Sequence, residues 1–129
     1  MVAGSNGGGN RITSYRDLWV WQEGIRLAKS CHEVTQTFPR EELFGLTSQI
    51  RRAAASIPAN IAEGYGRDST GDYVHFLRIA QGSLKELETH LILAREIGFA
   101  THESTVPVLD CADQLGRAIR KLYRSLQRP

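Results

Sequence analysis

The chain has 129 residues, with sixteen Lys and Arg against fourteen Asp and Glu and a net charge of +2. That length supports one domain burying roughly 65 to 70% of the surface its unfolded chain exposes, and the near balance of charge excludes a nucleic-acid partner announced by global charge alone. No apolar run approaches the roughly 18 residues of a membrane span, the N-terminus lacks a signal peptide's hydrophobic core, and Cys31 and Cys111 fall in apolar helical patterns rather than a disulfide framework, which together predict a cytoplasmic protein with reduced thiols and no membrane partner.

Residues 1–13 begin with MVAGSNGGGN, which has no apolar periodicity to repay the entropy of ordering; they read as a flexible arm ahead of a bundle domain over residues 14–129. Ser14 and Asp17 have capping-box spacing and predict a first helix from there to about Thr37, closed by Pro39. Two stripes run along it: Leu18, Trp21, Ile25, Ala28 and His32, beside Val20, Gly24, Leu27, Cys31, Val34 and Phe38. Together they predict a broad apolar face packed among several neighbours.

The second helix is expected from near Glu41, with Leu43, Leu46, Ile50, Ala54, Ile57 and Ile61 toward the core. Its rear face carries Ser48, Arg52, Ala55, Ala59 and Ala62, small enough for another helix to approach. Pro58 removes a backbone donor and either bends or breaks this helix, which Gly64 and Gly66 then end. Ser69 and Asp72 open a third helix with Tyr73, Phe76, Leu77, Ala80, Leu84, Leu87, Leu91 and Ala94 inward, stopped by Gly98. Ile79, Gly82 and Leu93 face away from that core, with Glu86 among them, and mark a further contact surface. Ser104 or Thr105 is the expected cap of the fourth helix, with Pro107 in its first turn and Val108, Cys111, Ala112, Leu115, Ile119, Leu122 and Leu126 inward. With no strand-like alternation, the fold is read as all-α, an antiparallel up-down-up-down four-helix bundle.

Trp21 and Leu27, Phe38-Pro39, Glu42-Leu43-Phe44-Gly45-Leu46, Ser48-Gln49-Ile50-Arg51-Arg52-Ala53 and the run Ser56-Ile57-Pro58-Ala59-Asn60-Ile61-Ala62-Glu63-Gly64 resemble the four-helix proteins of the 23S ribosomal RNA intervening-sequence family. Phe76-Leu77, Ile79-Ala80, Gly82-Ser83 and Glu86-Leu87-Glu88-Thr89 continue the likeness, whereas Gly24 stands where such proteins usually carry alanine. The resemblance implies a bacterial homopentamer, often encoded within an insertion in a ribosomal RNA gene. A related bundle protein is the accessory factor of diversity-generating retroelements, where a basic pentamer engages a reverse transcriptase and nucleic acid.

Beyond Gln114 the fourth helix carries Arg117, Arg120, Lys121, Arg124 and Arg128 with no acidic residue among them. At 100° per residue they share a face opposite Leu115, Ile119, Leu122 and Leu126, a candidate surface for RNA or DNA. The alternative is a solvated face whose cations complement the helix C-terminus. Candidate residues for a self-association interface are Ser48, Arg52, Ala55, Ala59, Ala62, Glu63, Ile79, Gly82 and Leu93, with Arg52 expected in a buried or interface ion pair and Asn60, Glu63 and Arg67 in a polar network.

Catalytic and metal chemistry find no foothold. A bundle di-iron site needs Glu-x-x-His pairs, but Leu87 stands three before His90, and Cys31-His32 lacks further ligands at zinc-like spacing. Gly64-Tyr65-Gly66 lacks the lysine and hydroxyl of a phosphate loop. The expectation is a non-enzyme without cofactors, acting through self-association and through nucleic acid or a nucleic-acid-processing protein; the rival is a scaffold that binds protein alone.

Overall fold

Capping chemistry decides where the helices begin. The computed structural model describes residues 11–129, so the glycine-rich run MVAGSNGGGN lies outside the described residues. Ser14 caps a 3₁₀ turn at Tyr15–Asp17, accepting from the Arg16 N–H while the Asp17 carboxylate accepts from the Ser14 N–H and from the N–H and hydroxyl of Thr13. The Thr13 bonds, its backbone N–H foremost, hold the Asp17 carboxyl below its ordinary value. Leu18 is then extended, and the first helix, α1 (Trp19–Thr35), starts only after it. The capping box is present but serves the turn rather than the helix.

A similar correction applies to α2 (Leu46–Tyr65), expected from near Glu41. Arg40–Glu42 form a separate 3₁₀ turn, and Glu42 reaches forward so that its carboxylate accepts from the Leu46 N–H at 3.1 Å, capping α2. Leu43, expected in the core, is 48% exposed on this connection. Helix α2 runs unbroken through Pro58, whose ring is buried. Helix α3 (Thr70–Glu96) is capped by the Ser69 hydroxyl, which accepts from the Asp72 N–H. Gly98, at φ +91°, turns the chain out of it through the left-handed region that glycine tolerates.

Helix α4 (His102–Leu126) begins earlier than expected, because Thr101 and not Ser104 or Thr105 is its cap. Thr101 and Ser104 form a reciprocal box, and Thr105 is buried, donating to the Thr101 and His102 carbonyls. Pro107 therefore lies in the second turn, where it deprives the carbonyl of exposed Glu103 of a helical partner and leaves it to water.

The four helices close on one another, α1 and α3 each packing against both α2 and α4, and no strand occurs among the described residues. Leu27, Ile50, Ile57, Ile61, Leu77, Leu84, Leu87, Leu91, Leu115 and Ile119 are fully buried and make one core. Each aliphatic side chain of this kind contributes about 1.5–3 kcal/mol on burial. One expected stripe enters it only at Leu18, which is 1% exposed. Trp21 and Ala28 are half-buried, His32 is exposed and Ile25 is 43% exposed, because α1 has two helical neighbours and Val20, Gly24, Leu27 and Cys31 already fill the seam. Thr35 ties α1 to α2, its buried hydroxyl accepting from Arg51 Nε at 2.8 Å and donating to the Cys31 carbonyl.

Candidate nucleic-acid interface

The most amphipathic surface belongs to α4. Val108, Ala112, Leu115, Ile119 and Leu122 face the core, so residues three and four apart on the other side project together. Arg117, Arg120, Lys121, Arg124 and Arg128 are all exposed and line one shallow groove of about 310 Å³. Arg117 Nε lies 3.1 Å from the Asp113 carboxylate, both side chains in solvent, where such a pair is worth at most about 1 kcal/mol. Among the described residues, the other four cations have no carboxylate within ion-pair distance. Arg120, Lys121 and Arg124 crowd the C-terminal half of the helix, and Arg128, expected on it, follows past its end at Leu126; the helix dipole favours cations there but cannot neutralise this many. The surplus positive charge is available to an anionic partner.

The basic surface does not stop at α4. Arg78, on α3, lays its guanidinium 5.3 Å from the centre of the Tyr123 ring, and Lys85 joins Gln81, Asp113, Gly116, Arg117 and Arg120 around an adjoining hollow of about 220 Å³. Gln81 Nε2 donates to the Gly116 carbonyl at 3.0 Å, fastening the two helices beneath these cations. A Cβ on Gly116 would stand 3.0 Å from Leu84 Cδ2, so glycine lets the helices approach there. Arg78 and Lys85 were not legible as site residues, since their spacing marks one face of the third helix without saying which neighbour it adjoins.

The candidate association residues are spread over α2 and α3. Ser48, Arg52 and Ile79 share a groove of about 630 Å³ between α2 and α3, with Phe44 at one end and Glu86 opposite. Ala55 borders a different hollow, between α1 and α2, with Ala28, His32 and Arg51. Ala59 and Glu63 are exposed on α2 and Ala62 is half-buried, while Gly82 and Leu93 are exposed on α3. Among the described residues Arg52 forms no ion pair: it is exposed, and Glu63 pairs with Arg67 at 2.8 Å across one helical turn. Asn60 stays out of that pair and donates to the Ser56 carbonyl at 2.7 Å. Phe44, missed because it lies on no helical stripe, is 93% exposed and the most solvent-bared large apolar side chain described.

Burial pushes the Cys31 thiol up to about 12, with Cys111 adding to the effect; burial also raises the half-exposed Cys111. Neither is an activated nucleophile. Among the described residues, no three or more His, Cys, Asp or Glu gather to hold a metal ion, and no helix is long and apolar enough to cross a membrane.

The sequence model of the 23S rRNA-intervening sequence proteins matches residues 16–121, from the first turn into α4, so that Arg124 and Arg128 lie beyond the match. No functionally curated protein matches the chain. Its fold is similar to the crystal structure, at 1.70 Å resolution, of a protein of unknown function from the S23 ribosomal protein family of Bacteroides thetaiotaomicron, with TM-score 0.74 and 21% identity over 81% of this chain and 98% of that one. The helices described above, the matched span and that shared fold agree: the chain belongs to the 23S rRNA-intervening sequence protein family.

Proposed function

We propose that this protein is a non-catalytic, self-associating helical bundle of the cytoplasm that binds nucleic acid through the basic face of α4. The observation that carries the reading is the groove lined wholly by Arg117, Arg120, Lys121, Arg124 and Arg128, four of which have no carboxylate partner among the described residues. Side chains so placed neutralise phosphates and release counterions, which makes binding fall steeply with salt. A family described by an intervening sequence in 23S rRNA favours RNA, or a protein that processes it, as the partner.

Contacts at Thr35–Arg51, Gly64–Tyr73 and Gln81–Gly116 support an up-down-up-down course: the ends of α1 and α2 meet the first turns of α2 and α3, and Gln81 in the first half of α3 meets Gly116 in the second half of α4. Bared apolar side chains at Phe44, Ile79, Leu93 and Ile97 support self-association along α2 and α3; that the assembly is a pentamer is what the family resemblance implies. That same surface favours a second reading, a scaffold that binds protein alone.

The test is a titration of RNA at a series of salt concentrations against wild type and an Arg117→Gln, Lys121→Gln, Arg124→Gln variant. Affinity should fall with salt, and the variant should lose at least about tenfold, with three phosphate contacts removed. Absence of salt-dependent binding at low ionic strength rejects the nucleic-acid reading and leaves the scaffold. Light scattering of Phe44→Ser and Arg52→Ala checks assembly; an unchanged mass in both rejects the α2–α3 interface.

A further inference from the structure

The basic surface is two helices wide, and that width bears on what it recognises. Along α4, Arg117, Lys121 and Arg124 step by three or four residues, a rise of about 4.5–6 Å each, comparable with the spacing of phosphates along one strand, and Arg128 follows just past the end of the helix at Leu126. A second row comes from Arg78 and Lys85 of α3, on the edge that adjoins α4. Packed helix axes lie about 8–10 Å apart, so the two rows can engage two separate backbones at once. Lys85 shares a 3.1 Å contact with Glu88 and Arg117 one with Asp113, but the cations are largely exposed and exchange a carboxylate for a phosphate at little cost.

Single strands bind by stacking unpaired bases on open aromatic faces. The aromatic ring beside these rows, Tyr123, is half-buried and has Arg78 over its face, so it offers no such platform. Nor does the surface suit the grooves of B-form DNA: its major groove, about 12 Å wide, admits one helix, and its minor groove of about 6 Å admits none. An A-form duplex is different. Its minor groove is wide and shallow and presents two phosphate backbones and the 2′-hydroxyls on a nearly flat surface.

Resting on the nucleic-acid reading above, we infer that the ligand of the α3–α4 face is double-stranded RNA, held by its two backbones without readout of sequence. The α4 row follows one strand and the α3 row the other. Gln81 and Gly116 set the distance between them.

The experiment compares the full chain's binding to an RNA duplex of about 20 base pairs, a length adequate for two successive minor grooves, with binding to one of its strands and to the DNA duplex of the same sequence. Wild type should bind the RNA duplex several-fold more tightly than either. An Arg78→Gln, Lys85→Gln variant should lose about tenfold for the RNA duplex, with a salt slope shallower by roughly 1–2, and stay within about twofold for the single strand. Lys85→Gln alone, which leaves the Arg78–Tyr123 contact in place, should show about half of that slope change. Equal or tighter binding of the single strand or of DNA overturns the inference, as does duplex binding indifferent to Arg78 and Lys85. In either case the α4 reading survives, whereas loss of binding to all three ligands at low salt removes both.

Discussion

Gly24 of α1 and Pro58 of α2 fit against each other: a Cβ built on Gly24 would lie 3.3 Å from Pro58 Cβ and 3.4 Å from its Cδ. The absent side chain on one helix makes room for the ring on the other. Alanine would need only a few tenths of an ångström of relief here and gains about 1 kcal/mol of helix propensity over glycine. Gly24→Ala should therefore raise stability by about 0.5 kcal/mol, whereas Gly24→Leu should lower it by about 2–3 kcal/mol through overpacking. Urea denaturation of the pair checks both signs.

Gly64 is the opposite case. Its Cβ would fall 2.8 Å from Phe76 Cβ and 3.2 Å from the Tyr73 carbonyl oxygen, against atoms close to the α3 backbone that cannot rotate away. Gly64→Ala should cost about 2–3 kcal/mol despite its better helix propensity. A thermal melt no lower than wild type would falsify this.

Thr35 and Arg51 form a hydrogen bond to a charged donor across the α1–α2 seam at 2.8 Å. Thr35→Val keeps the shape but strands the half-buried guanidinium, so a loss of about 1.5–3 kcal/mol is expected. The double change Thr35→Val with Arg51→Met should recover part of it, and a double-mutant cycle measures the coupling.

Alkali should destabilise the fold. Burial foremost, with Tyr65 adding to it, pushes the Tyr73 hydroxyl up to about 12, as burial does for the Cys31 thiol. In the unfolded chain these groups titrate near 10.0 and 9.0, so between those values and about 12 the folded chain holds more protons. The contribution of these two groups is complete below pH 9.0 and is lost as pH rises toward 12. Denaturation curves between about pH 8 and 11 should show this decline, flattened in Tyr73→Phe and Cys31→Ala.

Much of the core was legible from periodicity: Leu77, Leu84, Leu87 and Leu91 recur at three and four residues and are buried, whereas Leu43 and Ile25, equally periodic, are exposed because no neighbouring helix covers them. Helix beginnings were less so, since a cap is a contest between neighbouring donors and acceptors. Ser14 with Asp17 reads the same whether it caps a helix or a short turn, and Thr101 with Ser104 does not read as a box because serine returns the bond where glutamate is usual. The α4 cations could be placed on one face from helix geometry. What joins them could not, because the Gln81–Gly116 contact and the approach of Arg78 to Tyr123 depend on which helices are neighbours.

The Gln81–Gly116 contact also bears on how binding would be lost. Basic segments that are disordered when free must pay for ordering whenever a ligand arrives, and that cost depresses their affinity. Here the backbones carrying the cations are fixed by the core before any ligand is present, leaving only side-chain torsions to settle. Loosening that contact, as in Gln81→Ala, leaves every cation in place and every long-range attraction intact. Encounter with the ligand should then be as fast as before, and the weakening should surface as a shorter residence time.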